Sequence, residues 1–237
     1  MPRKRFPYYP IFLDVEERDV LVVGGGKVAS RKVETLLQYG ANVTVLSPAL
    51  TDELEQLGVE RRIRIERREY TEHDLDARAL VIAATADICT NARVARDCRR
   101  RGISVNVVDA THLSEFIVPA TIDRGSVQIA VSTGGNSPAL ARRLRETLEE
   151  RIGPEYSELN DLLGSLRHAA KRALPTDADR KQFFERVIDG ADGDGVLTML
   201  RDGRRSAAFE SIAAACRDAG VPLPEVVRDG LRNGSPE

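Results

Sequence analysis

The sequence has no tryptophan, two methionines, three cysteines and three histidines, and only 5% of its residues are aromatic. So few aromatics leave little for base stacking, and a formal net charge of -2 supplies no field for a polyanion, so nucleic acid is not an expected partner. Cys89, Cys98 and Cys216 stand far apart without a CxxC pair. That spacing argues against a disulfide framework or a structural zinc site and fits a reducing compartment. His73, His112 and His168 add no metal-binding spacing, so no resident metal is expected. No apolar run approaches the length of a membrane span. The stretch Met1 to Pro10 is basic, then rich in proline and tyrosine, without the apolar core of a signal peptide. The expectation is a soluble, cytoplasmic chain that contacts neither membrane nor nucleic acid.

What is present in the 237 residues suffices for one substantial core or two modest ones. Before about residue 132 the chain is rich in β-branched runs; after it, in charged helical segments. Val20 to Val23, Val43 to Leu46, Ile63 to Glu66, Leu80 to Ala84 and Ser104 to Val108 read as strands, with helix-like stretches between them. In the first such stretch Ala29, Val33, Leu36 and Leu37 share one face, and Gly40 stands where a left-handed cap is expected. Repetition of this βαβ unit, with apolar strands buried on both faces, predicts an α/β fold with a Rossmann-like, doubly wound parallel sheet. Phe116 to Asp123 and Val127 to Ser132 flank the polar turn Asp123-Arg124-Gly125-Ser126 and predict an antiparallel hairpin. Helices are predicted over Ser137 to Arg151, Glu155 to Leu174, Ala178 to Ile188, Arg205 to Ala219 and Glu225 to Leu231, and Gly190 to Gly195 reads as a surface linker. The expected organisation is a Rossmann domain over 1–115, a hairpin-and-helix region over 116–152 and a helical C-terminal domain over 153–237.

The strongest motif is Gly24-Gly25-Gly26-Lys27-Val28-Ala29, a G-x-G-x-x-A turn between strand and helix. Gly24 permits the tight turn, Gly26 lets the backbone approach a pyrophosphate, and Ala29 allows close packing of helix on strand, while backbone N–H groups and the helix dipole favour the anion. The alternative is a glycine turn without ligand. The second strand ends in Ser47-Pro48-Ala49, where an acidic residue usually holds the adenosine ribose, and no arginine follows to receive a 2′-phosphate. NAD is therefore favoured over NADP, with Ser47, Pro48 and Ala49 at the adenosine end and the small residues Ala84 and Thr85 at the end of the fourth strand.

Asp109 ends the strand Ser104 to Val108 and is the leading catalytic candidate, since a strand's C-terminal end faces the ligand crevice of such folds. Aspartate at a strand end also forms turns through its own side chain. His112 follows three residues on, either in the same crevice or as a loop histidine. Thr133-Gly134-Gly135-Asn136-Ser137-Pro138 precedes a helix bearing Arg142, with Ser137 as cap and Pro138 at the first helical position. It reads either as a second anion nest or as a capped helix with solvated arginines.

In this order Pro10-Ile11-Phe12, GGGKVASRK, NVVDA, EFIVPATIDRG and VSTGGNSPALAR resemble the precorrin-2 dehydrogenase family, the N-terminal part of siroheme synthase, in its stand-alone form. The resemblance is strong from Tyr9 to Arg151, loose to about residue 190, and beyond that no motif is named. It implies NAD-dependent oxidation of precorrin-2 to sirohydrochlorin and a homodimer, with dimerisation carried by 116–152. It also implies catalysis by Asp109 and contact of the phosphates with Gly24 to Val28. Members are also described as sirohydrochlorin ferrochelatases, an activity Asp109 is able to share. The carboxylates of the tetrapyrrole call for donors, for which Thr133, Gly134, Gly135, Asn136, Ser137 and Arg142 are the candidates, Arg124 a weaker one. A serine that carries phosphate in the fused enzymes corresponds to Thr133, which keeps a hydroxyl. The rivals are a different nicotinamide oxidoreductase built on the same domain and a non-catalytic sensor of NAD or tetrapyrrole.

Overall fold

A computed structural model describes residues 8–190 and 195–233. The basic start of the chain before Tyr8 and most of the Gly190 to Gly195 loop lie outside them. Backbone proximity divides the chain into two units, Met1–Val118 with Gly134–Asn136, and Pro119–Thr133 with Ser137–Glu237.

In the first unit, strands β1 (Asp19–Val23), β2 (Asn42–Leu46), β3 (Arg64–Glu66), β4 (Leu80–Ala83) and β5 (Ser104–Val107) form one parallel sheet in the order β3-β2-β1-β4-β5. Alternation of side chains along β1 explains why the sheet needs cover on both faces. Val20 and Val22 pack with Ala29, Val33 and Leu36 of helix α1 (Lys27–Gln38) and Leu54 and Leu57 of α2 (Asp52–Val59). Leu21 and Val23 face the other way, against Val94, Ala95 and Cys98 of α3 (Ile88–Arg101). Gly40 adopts φ +73° just past α1, as a left-handed terminus requires. The strand order reverses between β1 and β4, the place where such sheets open a crevice.

The second unit begins with the antiparallel hairpin β6 (Ala120–Arg124) and β7 (Val127–Val131), in register Ile122 to Ile129. The first hairpin strand is shorter than the predicted Phe116 to Asp123. Pro119 has no N–H for a ladder, and Phe116 belongs to the first unit, packed on its core with its carbonyl accepting from Asn106 Nδ2 at 3.0 Å. The hairpin turn rests on α5 (Glu155–Ala173), where Ser157 Oγ accepts from the Ser126 N–H at 3.2 Å. Helices α4 (Pro138–Glu149), α6 (Asp177–Asp189), α7 (Val196–Arg201), α8 (Arg205–Ala219) and α9 (Glu225–Asn233) complete the unit. Leu159, Leu162, Leu166, Phe183, Val187 and Ile212 stand in its core. Helix α7 is not foreseen from the sequence because six residues are too few to display a helical period.

Candidate active site

The carboxyl ends of the strands of the first unit surround a crevice of about 1340 Å³, larger than an ordinary small-molecule pocket. All ten residues expected to hold the cofactor line it: Gly24, Gly25, Gly26, Lys27 and Val28 from one wall, Ser47, Pro48 and Ala49 from the second, and Ala84 and Thr85 from the third. Asp109 and His112 line it too, both exposed.

The glycine turn has its carbonyls and N–H groups sorted. Gly24 N–H donates to the Leu46 carbonyl at 2.9 Å, and the Gly25 carbonyl accepts from the Thr51 N–H at 2.9 Å. Gly24 and Gly25 are buried with no room for a side chain: a Cβ would come 2.4 Å from the Ala84 oxygen at Gly24 and 2.0 Å from the Ala49 oxygen at Gly25. Gly26 differs, since it is exposed and a Cβ there would have nothing within 4 Å. It is the N-cap of α1 and no side chain caps that helix end. An open cradle over backbone N–H donors at the positive end of a helix dipole fits a pyrophosphate.

At the adenosine end Ser47 Oγ donates to the Ala49 carbonyl at 2.7 Å, so this hydroxyl shapes its own loop. No acidic residue stands at the end of β2, but Glu69 is exposed on the crevice wall with Arg68 and the buried Tyr70. These residues follow β3, and the bond from Ser47 N–H to the Glu66 carbonyl at 3.0 Å brings the two strand ends together. The signal was the end of a predicted strand, but only the sheet order places it beside β2. Arg68 is engaged with Asp74 at 2.9 and 2.5 Å. Burial pushes the Asp74 carboxyl up, yet Arg68 and the N–H and hydroxyl of Thr71 outweigh it and hold that carboxyl below its usual range.

Asp109 is the third residue of a tight turn closed by the bond from Ala110 N–H to the Val107 carbonyl at 3.2 Å. Its φ of +58° is in the left-handed region, where glycine is at ease and a residue with a Cβ is not. Ser114 Oγ accepts from the Val107 N–H at 2.9 Å and lies 3.2 and 3.1 Å from the carbonyls of Val107 and Ala110, pinning the turn. The bonds that hold this turn come from the backbone and Ser114 rather than from the Asp109 side chain, and Asp109 stands on the crevice wall.

The six residues expected at the tetrapyrrole are divided between the units. Gly134, Gly135 and Asn136 group with the first, where a Cβ on Gly135 would stand 3.1 Å from Thr111 Cγ2, two residues from Asp109 in the chain. Thr133, Ser137 and Arg142 group with the second. Thr133 Oγ1 donates to the Ser137 carbonyl at 2.9 Å, Ser137 Oγ accepts from the Leu140 N–H at 3.2 Å, and Arg142 is exposed. Arg124 is engaged within its unit, donating through Nε to the Ile152 carbonyl at 2.9 Å.

Three family models match in succession: an NAD(P)-binding model over residues 11–120, a sirohaem biosynthesis protein central model over 124–151, and a sirohaem synthase dimerisation region over 155–215. The last lies beyond 116–152, the segment to which the resemblance attaches dimerisation. Siroheme synthase of Thioalkalivibrio sulfidiphilus is 42% identical over 236 residues, 97% of this chain and 47% of that protein. Siroheme synthase of Methylococcus capsulatus is 38% identical over 230 residues, 97% of this chain and 48% of that protein. The chain spans about half the length of the curated relatives it matches. These alignments also take in the residues beyond 190, where the sequence offers no named motif. Among solved structures, SirC, a precorrin-2 dehydrogenase, is similar with a TM-score of 0.64 and 26% identity, covering 83% of this chain and 98% of its own. The NAD(P)-binding match falls on the unit that carries the crevice, and it supports NAD as the cofactor there. The chain belongs to the siroheme synthase family, in the part of it that carries the NAD(P)-binding, central and dimerisation regions.

Proposed function

We propose that the chain oxidises precorrin-2 to sirohydrochlorin as a homodimer. The observation that carries this reading is the Asp109 carboxylate, held in a strained turn within the crevice of the glycine turn, in a chain of this family. NAD⁺, when bound, supplies a two-electron hydride acceptor. The oxidation removes one hydride and one proton from the reduced macrocycle. Asp109 accepts the proton, because it is the carboxylate residue that the turn after β5 places on the crevice wall. Its exposure leaves orientation rather than burial as the means by which the fold prepares it. Gly24 and Gly25 set the turn, Gly26 leaves space for the pyrophosphate, and the backbone N–H groups at the start of α1 bind it. The Gly134 to Asn136 loop, which groups with the first unit and passes next to Thr111, is the segment assigned to the carboxylates of the tetrapyrrole. The match to a dimerisation region supports the homodimer.

The test is anaerobic NADH formation from precorrin-2 by wild type and Asp109→Ala, with NAD binding measured for both. The wild type is expected to turn over, and the variant to bind NAD normally while losing about 10²- to 10⁴-fold in kcat, the usual contribution of a positioned base. A folded, NAD-binding wild type without turnover would sink the proposal and leave the non-catalytic sensor or an oxidoreductase of another substrate.

A further inference from the structure

Several polar side chains of the first unit are buried without belonging to any expected site, and one of them, Asn91, borders the crevice. Asn91 lies one turn into α3, on the stripe it shares with Val94, Ala95 and Cys98. Its Oδ1 accepts from the Thr85 N–H at 3.2 Å and lies 3.0 Å from the Thr85 hydroxyl, and its Nδ2 donates to the Thr85 carbonyl at 3.0 Å. One amide thus meets both backbone groups of one residue, the pairing a neighbouring strand would give.

The reason Thr85 needs this partner is topological. The last sheet bonds at this end of β4 are Ala84 N–H to the Val23 carbonyl at 2.8 Å and Val108 N–H to the Ala83 carbonyl at 2.9 Å. Beyond them β1 and β5 lead away on either side of the crevice. An unpartnered Thr85 would turn its N–H and carbonyl to water inside the crevice and take the loop with it. The loop's position matters because the glycine turn rests on it: a Cβ on Gly24 would come 2.4 Å from the Ala84 oxygen and 3.0 Å from the Thr85 nitrogen.

We propose that Asn91 is a positioning residue for the dinucleotide, a side-chain amide that replaces the missing strand, fixes the Ala84–Thr85 peptide and through it holds the glycine turn in its binding shape. This rests on the crevice being the NAD site. The test is NAD binding by calorimetry for wild type, Asn91→Asp and Asn91→Ser across a range of pH, alongside thermal melting. At neutral pH the carboxylate of Asn91→Asp keeps the acceptor but opposes the Thr85 carbonyl, and NAD is expected to bind about tenfold more weakly. As pH falls the buried carboxyl takes a proton and donates to that carbonyl again, so the ratio of variant to wild-type Kd is expected to return toward one. Asn91→Ser is expected to stay weak at every pH. A purely structural asparagine would lower the melting temperature of both variants without this pH-dependent recovery. Wild-type affinity in both variants, or a pH-independent ratio for Asn91→Asp, overturns the proposal. Should Asn91→Asp not fold, Asn91→Ser against wild type decides. A wild type that binds no NAD instead removes the cofactor reading on which the proposal stands.

Discussion

Two glycine-rich turns lead into helices in this chain, and they dispose of the helix end in opposite ways. At Gly24 to Gly26 the cap of α1 is itself a glycine with open space over it and no capping side chain. At Gly134-Gly135 the positive φ angles are present as well, but the cap of α4 is Ser137, whose hydroxyl takes the Leu140 N–H, and Pro138 presents no N–H at the first position. Thr133 closes the second turn further by accepting from the Ser137 N–H at 3.2 Å. Glycines before a helix are therefore a poor guide to an anion site. The residue in the capping position separates a helix end that leaves its donors to a ligand from one that a side chain caps.

The contrast is most strongly tested by Gly26→Asp, which turns the first arrangement into the second. The new carboxylate caps α1 and complements its dipole, so stability is expected to rise by about 0.5 kcal/mol. The same group occupies and repels the phosphate position, and NAD affinity is expected to fall by about a hundredfold, or about 2.7 kcal/mol. Unchanged NAD binding in calorimetry would break the comparison. Ser137→Ala probes the other turn: denaturant unfolding should report a loss of about 1 kcal/mol, the worth of a capping hydroxyl, with NAD affinity unmoved. A parallel loss of NAD affinity would mean the second turn is not self-contained. The smallest effect concerns the thiols. Burial pushes the Cys98 thiol up to about 12 and the Cys216 thiol to about 11, whereas Cys89 is exposed on the crevice wall. Mass spectrometry after brief iodoacetamide treatment is expected to find Cys89 modified first, and NAD to slow it several-fold; equal rates with and without NAD would separate Cys89 from the ligand.

Much of the first unit was legible in the sequence because each strand is an apolar run that the sheet buries on both faces, and the five predicted strands are displaced by no more than one residue at either end. The glycine turn was legible because its context, strand before and helix after, is local. Arg68 and Glu69 were not, because their place on the crevice wall depends on β3 pairing with β2 rather than on any spacing along the chain. Asn91 left a faint signal, a polar residue in the otherwise apolar stripe Val94, Ala95 and Cys98, but its meaning needs the end of β4. In the second unit the long helices declared themselves by period, while the start of β6 was misplaced because Phe116 serves the first unit and not the hairpin.

On the proposed role of Asp109, its backbone puts folding and turnover at odds over a single residue. Its left-handed φ belongs to a position where glycine would relieve the strain, and for a residue with a Cβ that conformation costs about 1 kcal/mol. Selection for heat resistance alone would push the site toward glycine and discard the one carboxylate the strand end delivers. A gain in stability at this position would thus be a warning rather than an improvement, because it would mark the point where the scaffold had ceased to be constrained by its chemistry.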